Sequence, residues 1–338
     1  MKRLLKGLML AAGLLAAVPG AASAQDDFYA GKTVTIVVGL SAGGGYDLYA
    51  RFLAEHMSRH IPGHPKIVVE NRPGAATRTA TTYVYEVAPK DGTVIGNSLN
   101  ILPLDQFIFP QQRRYDLTKV QFIGNIAGLT SVIAVSDKSP VQTVDDLTEK
   151  AAKLGSNGKN SETYIIPALI NAFLGSKFDI VTGFPGVSDI DLAIERGEID
   201  GRGGSWNSFR SLHQDWIDAG KIKPLMQIGT ADDPFMQGVP QLSSLAKTDE
   251  QKAIFSLLSN TTRFSRAYWV APGVPEERVK ILRDAFQATM NDPEFKKAAE
   301  QANMEVTPSN AAEITAAIEE LSKTPQEYLT KMREVLSE

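Results

Sequence analysis

The 338-residue sequence contains no cysteine, which excludes disulfides, thiolate metal sites, a cysteine nucleophile and a lipidated N-terminal cysteine. It also has no excess of basic residues: 35 Lys and Arg stand against 39 Asp and Glu, and the net charge is −4. A nucleic-acid partner is therefore not expected, because neutralising phosphates requires a basic surface. The remaining composition, with 43% hydrophobic and 22% charged residues, is that of a globular protein with roughly two domains.

Long apolar runs are also missing, apart from one at the N-terminus. Residues 1–6 carry three positive charges, residues 8–18 are apolar, and residues 22–24 are Ala-Ser-Ala. This order is typical of a secretory signal peptide with a small-residue cleavage site. A membrane anchor is the alternative, but residues 8–18 are too few to span a bilayer comfortably. We predict cleavage after Ala24 and a periplasmic protein whose mature part has 32 Lys and Arg against 39 Asp and Glu.

Short β-branched segments alternate with helical patterns along the mature chain, which indicates an α/β protein with mainly parallel sheets. Strands are predicted at residues 33–38, 66–70, 93–96, 132–135, 177–182, 222–228 and 267–270, and helices at 48–61, 75–88, 143–155, 189–196 and 276–290. The first three strands form a β-α-β-α-β unit, whose right-handed crossovers place them side by side. The helix at 143–155 is predicted from a capping signature, Thr143-x-x-Asp146, with Gly155 as its end.

A glycine-rich loop, residues 39–47 (GLSAGGGYD), follows the first strand and opens a helix. Its adjacent glycines allow a ligand to approach the backbone closely, and the unpaired N–H groups of the first helical turn favour an anion. The spacing matches neither G-x-G-x-x-G nor a P-loop. Two interpretations stay open: an oxyanion cradle, or simply a tight turn between strand and helix.

A second loop, residues 183–187 (GFPGV), also lies between a predicted strand and a predicted helix. Ser188 is predicted as the N-cap of that helix, with Asp191 completing a capping-box-like pair. A well-capped helix needs no ligand, and that interpretation stays open for this loop alone. Two similar helix N-termini in two halves of a chain could clamp opposite sides of one anion. We therefore hypothesise that the two loops face each other across one binding site.

The other candidate residues give weaker signals. Arg202, within a Gly-Arg-Gly-Gly run, can bind a ligand carboxylate bidentately or pair with a neighbouring Asp. His56, His60 and His64 form no metalloprotease motif and are interpreted as surface residues. Ser41 lies outside any G-x-S-x-G elbow. Because no nucleophile–base pair accompanies the glycine loop, we expect no catalytic residue, no metal site, no cofactor and no enzyme activity.

Four stretches of the sequence resemble the substrate-binding proteins of the tripartite tricarboxylate transporter family, also called Bug-type or TctC-type receptors. They are residues 37–51 (VVGLSAGGGYDLYAR), 69–76 (VENRPGAA), 88–93 (APKDGT) and 269–275 (WVAPGVP). The resemblance implies a periplasmic-binding-protein fold of the type II-like, Venus-flytrap form, in which two α/β lobes enclose a ligand cleft. It also implies a discontinuous first lobe, residues 25–127 and 264–338, and a second lobe, residues 128–263.

The same resemblance implies a function and a set of binding residues. A receptor of this family would capture a small carboxylate, such as a di- or tricarboxylate or an aromatic acid, and deliver it to separate membrane permease subunits. We expect the receptor to be monomeric. The implied ligand-binding residues, with Arg202 added from its glycine-rich context, are Ser41, Ala42, Gly43, Gly44, Gly45, Tyr46, Asp47, Ala75, Ala76, Thr77, Asn97, Ser98, Ser156, Asn157, Gly158, Phe184, Pro185, Gly186, Val187, Ser188 and Arg202. Two alternatives stay open: an extracytoplasmic ligand sensor that feeds a two-component system, and an exported α/β hydrolase.

Overall fold

The structure is a computed structural model that describes residues 28–230 and 233–337. The predicted signal peptide, with its cleavage site at Ala24, lies outside these residues. The strands of the described chain are Thr33–Val38 (β1), Lys66–Asn71 (β2), Val94–Asn97 (β3), Gln121–Asn125 (β4), Ser131–Ser136 (β5), Ala151–Ser156 (β6), Lys177–Thr182 (β7), Gly201–Ser205 (β8), Ile222–Ile228 (β9), Ala267–Val270 (β10) and Ser309–Asn310 (β11).

Helices separate most of these strands. The α-helices are Gly45–Met57 (α1), Arg78–Thr82 (α2), Leu102–Ile108 (α3), Glu162–Leu174 (α4), Val187–Glu195 (α5), Trp206–Leu212 (α6), Gln214–Asp218 (α7), Asp249–Thr261 (α8), Glu276–Asn291 (α9), Pro293–Gln301 (α10), Ala311–Ser322 (α11) and Gln326–Ser337 (α12). Short 3-10 turns occur at Ser58–His60, Ala75–Thr77, Pro110–Gln112, Asp145–Thr148, Leu242–Leu245 and Thr262–Phe264, and a π-helical turn at Tyr83–Val87.

The first lobe is built on a six-stranded sheet in the order β11-β4-β10-β3-β1-β2. Strand β1 lies between β2 and β3 and is parallel to both, as the β-α-β-α-β unit predicts. Strand β10 pairs in antiparallel fashion with both β3 and β4. The chain therefore leaves this sheet after β4, forms the second sheet, and returns with β10.

The second lobe is built on a five-stranded sheet in the order β7-β6-β8-β5-β9. Strand β6 is parallel to β7 and β8, whereas β5 is antiparallel to β8 and β9. Both sheets are thus mixed, and the prediction of mainly parallel sheets is wrong. Strands β5 and β10 are the first strands after the chain passes from one sheet to the other. No β-α-β crossover within a single sheet fixes their direction, so antiparallel pairing is allowed.

The helix predicted at residues 143–155 is also wrong. Its capping signature is real, since Asp146 Oδ2 accepts hydrogen bonds from the backbone N–H groups of Gln142 and Thr143 at 2.9 and 3.0 Å. These bonds lead only into the single 3-10 turn Asp145–Thr148. Strand β6 then begins with alternating exposed and buried residues, and this two-residue period prevails over the helical start signal.

The larger of the two hydrophobic clusters in the described residues extends through both lobes. It includes Ile36 and Trp269 from the first sheet and Ile133 and Leu154 from the second. The C-terminal helix α12 packs against α3 and α8. It also packs against α4, which belongs to the second lobe. The lobes are therefore joined by packed side chains as well as by the segments that cross between them.

Candidate functional site

The two glycine-containing loops come from different lobes and meet. We call residues 39–45 the first loop and residues 183–187 the second loop; they follow β1 and β7 and lead into α1 and α5. Ser41 Oγ donates a hydrogen bond to Asp189 Oδ2 at 3.2 Å, and this bond links α5 to the first loop. The loops face each other, as the clamp hypothesis requires.

Glycine is needed where the loops are closest. An ideal Cβ on Gly43 would lie 3.3 Å from Ser188 Oγ, and one on Gly44 would lie 2.9 Å from a methyl carbon of Val187. A separation of 2.9 Å is shorter than side chains tolerate without moving, so a larger residue at Gly44 would push the lobes apart. The glycine run therefore permits a close contact between the lobes.

Side chains of the first lobe hold the first loop in place. Asp47 is only 3% exposed. It accepts hydrogen bonds from the Gly43 N–H, Arg51 Nε and Asn71 Nδ2, each at 2.9 Å. Asn71 Nδ2 also donates to the Leu40 carbonyl at 2.9 Å. Burial raises the pKa of Asp47, but hydrogen bonds from Arg51, Gly43 and Asn71 lower it by more, so the carboxylate stays charged at neutral pH. Asp47 therefore positions the loop from within its own lobe.

The N-cap predicted for the helix that follows the second loop is wrong. Gly186, not Ser188, is the N-cap of α5, because its extended backbone (φ −155°) directly precedes the first helical residue. In the part of the chain that is described, neither Gly186 nor Gly44, the N-cap of α1, supplies a side-chain cap. The first N–H groups of both helices are thus left without a cap. Ser188 Oγ is buried and has no hydrogen-bond partner among the described residues.

A strained turn lies behind the first loop. Ala75, Ala76 and Thr77 have φ values of 46°, 49° and 72°. Such left-handed backbone costs non-glycine residues roughly 1–3 kcal/mol each. Thr77 packs so closely on Gly39 that a Cβ on this glycine would overlap it. Strain of this kind persists only where the surroundings enforce it and is concentrated at ligand clamps, so the turn remains part of the candidate site.

Asn97 and Ser98 make internal contacts. Asn97 Nδ2 donates to the Ala267 carbonyl at 3.1 Å, and Ser98 Oγ accepts a hydrogen bond from Trp269 Nε1 at 3.2 Å. Both residues therefore connect β3 to β10 within the first sheet.

In the second lobe, the turn of Ser156, Asn157 and Gly158 supports the start of the second loop. Asn157 Nδ2 donates to the Phe184 carbonyl at 3.2 Å, and the Phe184 N–H donates to the Ser156 carbonyl at 3.3 Å. Pro185, next along the loop, is exposed. The structure thus brings these predicted residues together beside the gap between the lobes.

Arg202 pairs with a neighbouring Asp, which is one of the two options that the sequence left open. Its Nε and Nη2 donate to the carboxylate oxygens of Asp191 at 2.5 and 3.2 Å, and its guanidinium lies 3.8 Å from the centre of the Phe209 ring. His213 Nε2 lies 2.9 Å from the same carboxylate. Burial raises the pKa of Asp191, but Arg202 and His213 lower it by more. This ion pair joins α5 to β8.

A small cavity lies between the lobes beside the two loops. Its volume is about 30 Å³, which holds roughly one or two water molecules. Both lobes line it, with Leu40, Gly45, Tyr46 and Leu99 from the first and Asn157, Ser161, Glu162, Thr163, Val187, Arg202, Gly204, Ser205 and Ser208 from the second. Because the lobes touch around so small a space, the structure shows a closed arrangement.

Residues 49–333 match the family described as the tripartite tricarboxylate transporter family receptor. The chain belongs to this family. A relative from Cupriavidus necator, the UPF0065 protein in gbd 5'region, is 25% identical over 328 residues, which is 94% of this chain and 92% of the relative. The periplasmic binding protein BugD is 19% identical with a TM-score of 0.71, covering 90% of this chain and 97% of that one. Rpa4515 from R. palustris, solved with adipate, is 19% identical with a TM-score of 0.69, again covering 90% and 97%. The predicted two-lobed periplasmic-binding-protein fold is confirmed.

Family membership also bears on enzyme activity and location. The family consists of substrate-binding receptors and is not a class of enzymes; its members are periplasmic and work with transporter permeases. Within residues 28–230 and 233–337 of this receptor, no helix has the length and apolar character of a membrane span. The same residues contain no cluster of three His, Asp or Glu side chains suited to a metal ion.

Two charged residues of the receptor's cavity region were not indicated by the sequence patterns. Glu162, at the start of α4, lines the cavity, and Arg266, directly before β10, lies against Gly45. Both are buried, at 4% and 1% exposure. Burial raises the pKa of Glu162, and the Ser131 hydroxyl and the charge of Arg266 offset this only in part. For Arg266, the available signal was its position directly before the apolar strand β10, where a charged residue is easily buried together with the strand. Charged side chains are rarely buried without a partner.

Proposed function

We propose that this receptor captures a small carboxylate in the gap between its lobes and delivers it to the permease subunits of a tripartite tricarboxylate-type transporter. The observation that carries the proposal is the meeting of the first and second loops, each of which opens a helix with a glycine N-cap. Uncapped helix N-termini offer N–H donors and the positive end of the helix dipole, which suit a carboxylate. The contacts proposed for the ligand are residues 41–46, Ala75–Thr77, 156–158 and 184–188.

The proposed ligand class is a di- or tricarboxylate or an aromatic acid. Rpa4515, with which this receptor shares its fold, was solved with adipate, a dicarboxylate. At 19% identity this supports the class of ligand and leaves the individual acid to experiment.

Capture requires the lobes to separate and then close. A cavity of about 30 Å³ admits roughly one or two waters, so a dicarboxylate fits only after the loops part. The Ser41–Asp189 hydrogen bond joins half-exposed and exposed residues, and breaking it costs about 1 kcal/mol. Closure on the ligand would then surround it with donors from both lobes, in the hinge motion of two-lobed binding proteins.

The N-terminal segment is proposed to export the receptor and to be removed after Ala24. Mass spectrometry of protein released from the periplasm should show an N-terminus at Gln25. Protein that keeps Met1 and remains in the membrane fraction would contradict this proposal.

A thermal-shift screen of the purified mature protein tests the proposed function. The screen contains mono-, di- and tricarboxylates and aromatic acids, each beside its neutral amide and its methyl ester. A ligand at 100 times its Kd stabilises the folded state by about 2.7 kcal/mol, and we expect this shift for at least one acid. The amide should give a smaller shift, because it loses the charge-assisted hydrogen bonds. Stabilisation by neutral analogues alone would contradict the proposal, and hydrolysis of an ester would support the exported hydrolase instead.

A further inference from the structure

Arg266 lies in an unusual environment for a cation. Its side chain is 1% exposed, and Nε and Nη1 have no hydrogen-bond partner in the described chain. It forms no ion pair with a described carboxylate; Glu162 interacts with its charge but is not hydrogen-bonded to it. Burying a guanidinium without an anionic partner is costly. An anion near Arg266 would remove this cost.

The two hydrogen bonds of the Arg266 side chain cross from one lobe to the other. Nη2 donates to Ser205 Oγ at 3.4 Å and to Ser208 Oγ at 3.2 Å. Both serines lie at the start of α6 in the second lobe, whereas Arg266 directly precedes β10 in the first. Separating the lobes breaks both bonds, and all the donors of the guanidinium then become available to a ligand.

The aromatic rings that hold Arg266 belong to its own lobe. The guanidinium carbon lies 4.2 Å from the centre of the Tyr46 ring and 4.8 Å from that of Tyr49, and both rings are on α1. Cation–π contacts hold a cation in place without neutralising it. Arg266 is therefore oriented by the first lobe alone, and lobe motion leaves its charge in the cleft.

Helix α1 adds to the positive potential at this point. An ideal Cβ on Gly45, the first residue of α1, would lie 3.0 Å from Arg266 Nη2. The guanidinium thus lies at the positive end of the helix dipole, where a cation is disfavoured and an anion is favoured. One anionic group would satisfy both the helix and the arginine.

We propose that Arg266 binds a second anionic group of the ligand, so that the receptor selects dianionic acids over monocarboxylates. This inference rests on the proposed function and names its substrate class. One carboxylate lies between the first and second loops, and the other reaches Arg266 past Tyr46 as the lobes close. Ser205 and Ser208 then share the guanidinium with the ligand.

Glu162 lines the same cavity and must be compatible with a dianion. Burial raises its pKa, which favours the neutral carboxyl group. A neutral carboxyl group can donate a hydrogen bond to a bound carboxylate, whereas an ionised one would repel it. The raised pKa reduces this repulsion, so Glu162 opposes a second anionic group less than an ordinary carboxylate would.

Calorimetry with matched acids tests the inference. The probes are succinate, glutarate and adipate, each beside the straight-chain monoacid of the same length: butyrate, pentanoate and hexanoate. We expect the wild type to prefer the best diacid over its monoacid. Arg266→Gln should weaken the diacid about 100-fold, the scale for removing one partner of a buried charge pair, and leave the monoacid within about threefold. Arg266→Lys keeps the charge but loses the planar guanidinium, which can donate two hydrogen bonds to one carboxylate. The affinity for the diacid should therefore fall by about tenfold.

Arg263→Gln is the matched control, because Arg263 is an exposed arginine that pairs with Glu320 and does not line the cavity. It should retain the preference for the diacid. Equal losses for the diacid and the monoacid in folded Arg266→Gln protein would show a merely structural arginine and overturn the inference, while the proposed function would stand. A wild type that binds monoacids as tightly as diacids would also overturn it. Failure of the wild type to bind any acid would overturn the proposed function first.

Discussion

The first and second loops play equivalent parts in the two lobes but are built differently. The first loop is fixed from within its own lobe by Asp47, Asn71 and the tightly packed Thr77. The second loop is anchored near its start by Asn157, and the N-cap of its helix is Gly186, which contributes no side chain. One side of the gap is therefore shaped before the lobes meet, whereas the other gains a contact, Ser41 to Asp189, only when they do.

This difference suggests an order of events in binding. A surface that is already rigid loses little conformational entropy when a ligand binds to it. We expect the carboxylate to bind first to the first lobe, with the second lobe closing over it afterwards. Changes that loosen the first loop should then lower stability, and changes to its contact surface should lower affinity, each by more than the matching change in the second loop.

The largest expected effect is that of Gly45→Ala on affinity. In the closed structure a Cβ at this position would overlap Ser208 Oγ and lie 3.0 Å from Arg266 Nη2. Both neighbours are buried, and overpacking of this kind costs roughly 1–3 kcal/mol. Because the clash exists only in the closed state, affinity should fall up to about 100-fold, as measured by calorimetry with the best acid. Stability without ligand should change little, since alanine is a better helix former than glycine.

The double variant Gly45→Ala/Ser208→Ala is the matched control for this prediction. It removes the oxygen that the new methyl group would overlap, so part of the lost affinity should return. An unchanged affinity in the Gly45→Ala single variant would mean that the lobes bind ligand without the close approach seen here.

The second prediction concerns Asp47→Asn and the stability of the first loop. The neutral amide loses the charge-assisted bonds from Arg51 and the Gly43 N–H, so the free energy of unfolding should drop by about 1–3 kcal/mol at pH 7. The pKa of Asp47 is lowered in the folded state, so its contribution is present above its ordinary pKa and is lost as the pH falls through the lowered one. Urea unfolding should show the difference between the wild type and Asp47→Asn shrinking below about pH 4.

Asp189→Asn makes the same chemical change on the other side of the gap and serves as its control. Asp189 is exposed, so its replacement should alter stability by less than about 0.5 kcal/mol. If the two variants were destabilised equally, the first loop would not be the more firmly supported of the two.

Much of this organisation was predictable because it is local. The β-branched runs that became β1, β2 and β7 and the glycines that mark both loops act over a few residues, and such patterns can be read along the chain. The position of the N-cap of α5 was not predictable, because serine is a favoured N-cap residue and local rules therefore select Ser188. Gly186 takes this position at the point where the second loop contacts Ser41. Ser41 also bonds to Asp189, and these two residues lie 148 positions apart in the sequence. Arg266 was missed for the same reason, since its serine partners lie about 60 residues away.

The smallest expected effect is that of Gly186→Ala. The backbone of Gly186 is extended, so alanine is not strained there, but its Cβ would overlap Ser41 Oγ in the closed structure. Unlike the buried Ser208, Ser41 is half-exposed and can rotate away at the expense of its hydrogen bond to Asp189. That bond is worth about 1 kcal/mol, so affinity should fall only about fivefold. Ser41→Ala removes the same bond and should cause a similar loss, and the double variant should lose no more than either single one, because both changes act through one contact. A loss at Gly186→Ala as large as that at Gly45→Ala would mean that the second loop is as rigid as the first, and the proposed order of binding would be wrong.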